Sequence, residues 1–304
     1  MRTRPPMQRS HEARSHDAIV LDLDGTLLSE AGAVHPRNRA ALAAAADAGV
    51  RVMIATGRSS LSAHPILEEL GLETPAVVFN GAGLYSHRDR RMLEERVLSN
   101  RTLARALALG RERDWLTVLM TSDRKLSLHP RDALEERALA SMHGLAFAAR
   151  DELRAECVVR VTFFSRDHGR SAEFGEEVED AIGEPVYVTH FPLSVLASHR
   201  ESPLQVVDVH PPCRGKGEAL RILEENYGIP AGRVVAVGDA TNDLPMLEAA
   251  GLAVAMGDGM EEARAIAHRV IAGCDTTAIA DLVEELFLGA STTRDGSSAT
   301  PVPA

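Results

Sequence analysis

The chain is poor in the residues that would place it outside an ordinary folded enzyme. It has three cysteines in 304 residues, Cys157, Cys213 and Cys274, widely spaced and with no CxxC pair. A disulfide framework and a cysteine zinc site are therefore not expected, and a reducing, cytoplasmic setting is. Aromatic residues make up only 4%. No apolar run reaches the roughly 18 residues that a membrane-spanning helix needs. The first residues, MRTRPPMQRSHEARSHD, carry charge without an apolar stretch and do not read as a secretory signal. Positive charge is also scarce: 33 Lys and Arg stand against 44 Asp and Glu, a formal charge of −11. That balance argues against a nucleic-acid partner, which is bound through clustered cations. It leaves room for a small phosphorylated metabolite, for which a few local cations suffice. GxxxxGK[ST] and HExxH are absent, and NGAGLYS at Asn80–Ser86 only approaches GxGxxG.

Hydrophobic residues form 45% of the chain, enough for a sizeable core. Short apolar strands alternate with helices at both ends of the sequence. AIVLDLDGT from Ala18, VRVMIATGR ending near Thr56 and AVVFN ending at Asn80 are separated by helices over Pro36–Gly49 and Ser60–Leu70. The same rhythm is read again from LQVVDVHP through RVVAVGD, LAVAM and RVIAG. This pattern predicts βαβ units and a doubly wound parallel sheet. The stretch between breaks the rhythm, with helices near Asn100–Asp114, Asp132–His143 and Gly169–Ile182 and strands LTVLMTS, CVVRVTFFS and PVYVTHF. The fold class expected is α/β: a Rossmann-like core over 16–83 and 204–288, an inserted α+β cap over 84–203, and loose ends over 1–15 and 289–304.

Four segments fall at the ends of core strands or the starts of the helices after them, where open parallel sheets build their sites. In Asp22-Leu23-Asp24-Gly25-Thr26 the two carboxylates stand two residues apart on extended backbone and point to one side. Such a pair is costly unless a cation or proton is shared, and Mg²⁺ suits hard oxygen ligands. Thr56-Gly57-Arg58 offers a hydroxyl and free N–H groups at a helix start, a natural phosphate cradle. Lys216 precedes a helix and brings a positive charge. Asp239-Ala240-Thr241-Asn242-Asp243 follows an apolar strand and supplies two more carboxylates. Each segment alone also fits an ordinary turn or helix cap; their joint order is far more specific.

DLDGTLL, ATGR, NGA, KGEAL, VGDATNDLPMLEAAG and VAMGDG together resemble the haloacid dehalogenase-like superfamily of phosphohydrolases, in its Cof-type branch with a class IIB cap. The chain reads Gly257-Asp258-Gly259 where similar members often have GNA. The resemblance implies that Asp22 is a nucleophile forming an aspartyl-phosphate and that Asp24 is the general acid and base. It implies Mg²⁺ held by Asp22, the Asp24 backbone carbonyl and Asp239, with Asp243 in support. Thr56, Gly57, Lys216 and Asn242 would hold the phosphoryl oxygens, and Arg58 would touch substrate beyond them. The cap would choose the substrate, with His190, His199, Arg200, Arg124 and Lys125 as its polar candidates and Trp115 in its core. A small-molecule phosphatase is the leading expectation. A phosphomutase with the same aspartyl chemistry and a silent metabolite-binding protein remain open at this level.

Overall fold

A computed structural model describes residues 14–289 apart from 141 and 143; most of the two expected loose ends, and Ser141 and His143 of the helix expected over Asp132–His143, lie outside the described residues. In chain order the strands are β1 (Ala18–Leu21), β2 (Arg51–Ile54), β3 (Ala76–Val78), β4 (Gly83–Ser86), β5 (Arg91–Glu95), β6 (Leu116–Met120) and β7 (Lys125–Leu128). They continue with β8 (Leu145–Ala148), β9 (Arg160–Ser165), β10 (Tyr187–Pro192), β11 (Gln205–His210), β12 (Val234–Gly238), β13 (Leu252–Met256) and β14 (Arg269–Ile271). The helices are α1 (Pro36–Asp47), α2 (Ser60–Leu70), α3 (Asn100–Glu112), α4 (Ala133–Ala140), α5 (Ser171–Ile182), α6 (Glu218–Tyr227), α7 (Leu244–Ala249), α8 (Glu261–Ile266) and α9 (Ala278–Val283).

The core sheet runs β14-β13-β12-β1-β2, and every neighbouring pair is parallel. Alternation along β1 explains the two helical layers. Ile19 and Leu21 face one side with Leu42 of α1 and Ile279 of α9. Ala18 and Val20 face the other with Leu223 of α6 and Met246 of α7. Both faces are covered, which is why these strands carry unbroken apolar runs. β3 touches β2 through one parallel bridge, Ala55 to Val77. It then turns back into a three-stranded antiparallel sheet with β4 and β5, so the chain after Gly83 first extends this edge before entering the insert.

The insert is built on a six-stranded sheet, β10-β11-β9-β6-β7-β8, antiparallel except for β7 with β8. α3 and α5 cover one face. Trp115 lies in that layer, 3% exposed, with its ring 4.7 Å from Phe174 and 5.6 Å from Phe163. One expectation is corrected here. LQVVDVHP, read as the strand that restarts the core, is β11, and it lies antiparallel between β10 and β9, with Asp208 opposite Thr162 and Thr189. An apolar run buried on both faces reads alike in either sheet, and only the long-range partner decides. The chain returns to the core through a 3₁₀ turn at Gly215–Gly217, so α6 begins at Glu218 rather than at Lys216.

Candidate active site

Parallel strands release their chain at the same edge, and the site forms there. β1 and β12 are neighbours, with Leu21 opposite Val237, so Asp22 and Asp239 leave the sheet side by side. Gly25 allows this approach. Its φ is +78°, and a Cβ there would lie 2.5 Å from Asp239 Oδ2. The turn at Gly215–Gly217 brings Lys216 in from the third segment. Its Nζ donates to Asp22 Oδ1 at 2.7 Å and to Asp243 Oδ1 at 2.6 Å. Asp243 accepts with its other oxygen from the backbone N–H groups of Asp239 (2.9 Å) and Ala240 (3.0 Å). Thr26, to which the sequence had assigned no role, donates its Oγ1 hydrogen to Asp239 Oδ1 at 2.8 Å.

Asp22, Asp239 and Asp243 bring ligand oxygens within 4.8 Å of one another. One ammonium faces this negative charge. Burial pushes the Asp22 carboxyl well above the usual carboxylate range; Lys216 opposes the shift and Asp243 and Asp239 add to it. Burial, with Asp243 beside it, raises Asp239 to about 7. Burial alone would lower the Lys216 ammonium, but Asp22 and Asp243 outweigh it and hold Lys216 charged. The cluster is thus short of positive charge. Its donors are hard carboxylate oxygens, so a hard divalent cation fits it and a soft one does not. Asp24 stands apart from the cluster. Its exposed carboxylate is gripped by Arg58 through Nε (2.8 Å) and Nη2 (2.6 Å), an engagement that the sequence did not suggest for either residue.

The remaining expected residues divide between the cavity wall and the layer behind it. Gly57, Arg58 and Asn242 line a cavity of about 530 Å³ between core and insert, together with Asp22, Asp24, Lys216 and Asp239. Thr56 is fully buried, and its Oγ1 accepts from the Arg58 N–H at 3.1 Å, so it shapes the turn. Asn242 Nδ2 donates to Asn80 Oδ1 at 3.1 Å, and Asn80 Nδ2 donates to Thr189 of β10 at 3.3 Å. Asn80 holds a positive φ of 50°, which Asn tolerates better than most residues. It ties the fourth segment and the insert together, and its sequence signals were its place just after β3 and the NGA motif, neither of which assigned it a role.

Among the insert's candidates, Lys125 lines the cavity and donates to Ser62 Oγ at 2.9 Å. Arg200 lines it too and bonds Glu30 at 2.7 Å. His190 reaches the cavity while bonding Ser171 Oγ at 3.1 Å. His199 is buried and Arg124 is exposed in the β6–β7 turn. Two charged residues there escaped the sequence reading. Arg160 of β9 donates to Gly57 O at 2.8 Å and lies 3.3 Å from Asp208 of β11. A charge in the middle of an otherwise apolar strand, as in VVRVTFF and QVVDVH, was the available signal.

The family model for haloacid dehalogenase-like hydrolases matches residues 19–283. Similar proteins include a pyridoxal phosphate phosphatase of Escherichia coli, 29% identical over 276 residues, covering 87% of this chain and 96% of the relative. A 5-amino-6-(5-phospho-D-ribitylamino)uracil phosphatase of Bacillus subtilis is 29% identical over 293 residues, covering 89% and 98%. The fold is shared with a crystal structure of a haloacid dehalogenase-like hydrolase from Bacteroides thetaiotaomicron, at TM-score 0.73 and 22% identity over 90% of this chain and 100% of that one. With the family model matched over residues 19–283 and the four segments converging at one edge of the core, the chain belongs to the haloacid dehalogenase-like hydrolases.

Proposed function

We propose that this chain hydrolyses phosphate monoesters of small metabolites, with Asp22 as nucleophile and Mg²⁺ as its metal. The observation that carries the reading is the buried Asp22–Lys216–Asp243 chain beside Asp239, at the floor of the cavity between core and insert. The two relatives named above are phosphatases of phosphorylated small molecules. A Mg²⁺ ion held by Asp22, Asp239 and the Asp24 carbonyl would supply positive charge to the phosphoryl oxygens.

Lys216 aims Asp22 and opposes its protonation, and Asp243 holds Lys216. Asp22 attacks phosphorus, forming an Asp22 O–P bond as the ester P–O bond breaks, and the leaving oxygen takes a proton from Asp24. Asp24, now a carboxylate, takes a proton from a water as that water attacks phosphorus. The Asp22 O–P bond then breaks, freeing inorganic phosphate and the Asp22 carboxylate. Arg58 grips Asp24 until an incoming phosphate competes for the guanidinium. The N–H groups at Gly57 and the Asn242 amide steady the phosphoryl oxygens, so placement and charge neutralisation lower the barrier. The acidic surface disfavours nucleic acid, and no helix among the described residues is long and apolar enough to cross a membrane. The three cysteines are free, which suits a reducing cytoplasm.

A phosphate-release screen over sugar phosphates, nucleotides, flavin and pyridoxal phosphates tests the reading. Release that needs Mg²⁺ and vanishes in Asp22→Asn is the expected result. Silence across the panel with Mg²⁺, or release indifferent to a chelator, overturns it.

A further inference from the structure

The roof of the cavity carries an order that the phosphoryl chemistry below does not use. The face of the insert sheet turned away from α3 and α5 is built from alternate residues of β6, β7, β9, β10 and β11. Antiparallel register aligns them into rows across the strands. The first row is Lys125, Met120 and Arg160. The second is Thr162, Asp208 and Thr189. The third is Phe164, Val206 and Phe191. All three rows line the cavity.

The rows are not equivalent with respect to the catalytic floor. The first is tied to it by Arg160 Nη1 donating to Gly57 O at 2.8 Å. The second is tied to it by Thr189 accepting from Asn80, which also holds Asn242. The third has no polar side chain, and the wall beyond it continues through Leu193 to Val195 and Leu196 at the exposed rim. Rows two residues apart are separated by roughly 7 Å. The roof therefore changes from cationic, to hydroxyl and carboxylate, to apolar as distance from the phosphoryl position grows.

In the second row Asp208 accepts from Thr162 and approaches Arg160, and carboxylate oxygens have further lone pairs for a donor on the substrate. Arg160 and Lys125 offer donors to an acceptor. Nothing in the third row can replace the water around a hydroxyl, and each hydroxyl stranded there costs roughly five- to a hundredfold in affinity. A fully hydroxylated chain long enough to reach it is disfavoured.

We propose, resting on the phosphatase reading above, that the alcohol part of the substrate is amphipathic. Hydrogen-bonding groups next to the ester are read by Lys125, Arg160 and Asp208. An apolar ring or chain farther out sits against Phe164, Val206 and Phe191. Asp208 and Val206 set the choice between such esters and polyol phosphates.

The test compares pyridoxal 5′-phosphate, a ring with a polar edge, with glucitol 6-phosphate, a polyol of similar length. The unaltered protein with Mg²⁺ should favour the ring ester by tenfold or more in kcat/KM. Val206→Thr keeps the shape and adds a hydroxyl; it should narrow that ratio at least fivefold. Asp208→Asn should raise KM for the ring ester more than it lowers kcat. The same two ligands are compared by thermal shift on Asp22→Asn protein, so binding is read without turnover. A ratio at or below one, or a ratio that Val206→Thr leaves unchanged, overturns the inference while phosphate release upholds the phosphatase reading. Selective binding of the ring ester without release by the unaltered protein upholds the roof's preference and removes the phosphatase reading instead.

Discussion

Lys216→Met removes one positive charge from a place almost without water. The Lys216, Asp22 and Asp243 side chains are 1%, 5% and 0% exposed, with Nζ 2.7 Å and 2.6 Å from the two carboxylates. Methionine is unbranched and nearly as long, so the packing is largely kept and the ammonium lost. Both carboxylates then face a low-dielectric interior beside Asp239 with no cation, although Asp243 keeps its two backbone N–H donors. Breaking a buried pair in this way costs about 3–5 kcal/mol. At roughly 2–4 °C per kcal/mol for domains of about this size, the unfolding midpoint in chelator should fall by about 6–20 °C at pH 7.5. The sign of the pH dependence is fixed. Loss of Lys216 raises the folded-state pKa of Asp22 still further above its unfolded value, so the penalty is full above the folded pKa. It shrinks as pH falls through that pKa and the carboxyl takes a proton. Mg²⁺ should stabilise the variant more than the unaltered protein, because the same carboxylates now lack their only cation. Thermal melts in chelator and in Mg²⁺ at pH 7.5 and pH 5.5 read all three effects. A midpoint within about 2 °C of the parent at pH 7.5 in chelator would refute the reasoning, since it would mean that Lys216 neutralises nothing.

Three further outcomes are expected. Asp22→Asn should abolish phosphate release yet melt no lower than the parent in chelator, because a neutral amide relieves carboxylate crowding and still accepts from Lys216; a large drop in the melt would contradict that crowding. Gly25→Ala forces a φ of +78° on a residue with a Cβ and drives that Cβ against Asp239 Oδ2, so half-maximal activation should require tenfold or more Mg²⁺, read by titrating the metal. His210 is fully buried, and burial holds its imidazole at about 4 against an ordinary 6.5. The unfolded chain therefore takes the proton first, and stability should fall by up to roughly 3 kcal/mol as pH drops from about 6.5 to about 4. Urea unfolding at pH 7 and pH 4.5 checks this, and His210→Phe should flatten the difference; an identical slope in both proteins would place the acid sensitivity elsewhere.

The insert shows where reading the chain reaches its limit. β6, β9 and β10 were legible as apolar strands, and the helices of the layer above them by their periodicity. β4, β5 and β7 are short and mixed in polarity, β8 is a four-residue apolar edge strand, and no period marks any of them. β11 was legible as a strand but not as part of this sheet. The cavity roof is a product of register, so Arg160 and Thr162 meet Asp208 only once β9 and β11 have paired. The Arg58–Asp24 pair and the Asn80 links to Asn242 and Thr189 have the same origin: both join residues from segments with no shared local pattern.

Local chemistry was enough to determine the strands of the parallel core, the turn after Asp22 and the residue types at the strand ends. Those features depend on hydrophobic period, on glycine at tight turns and on the rule that parallel strands open at one edge. The order Asp22, Thr56, Lys216, Asp239 and Asp243 was therefore readable as one site before any contact was known. Only the tertiary structure decided which carboxylate holds Lys216, which one faces Arg58, to which sheet Gln205–His210 belongs and what the substrate meets overhead. Each of these is a pairing between segments distant along the chain. Its energy depends on distance, burial and register, quantities that no local stretch of sequence contains.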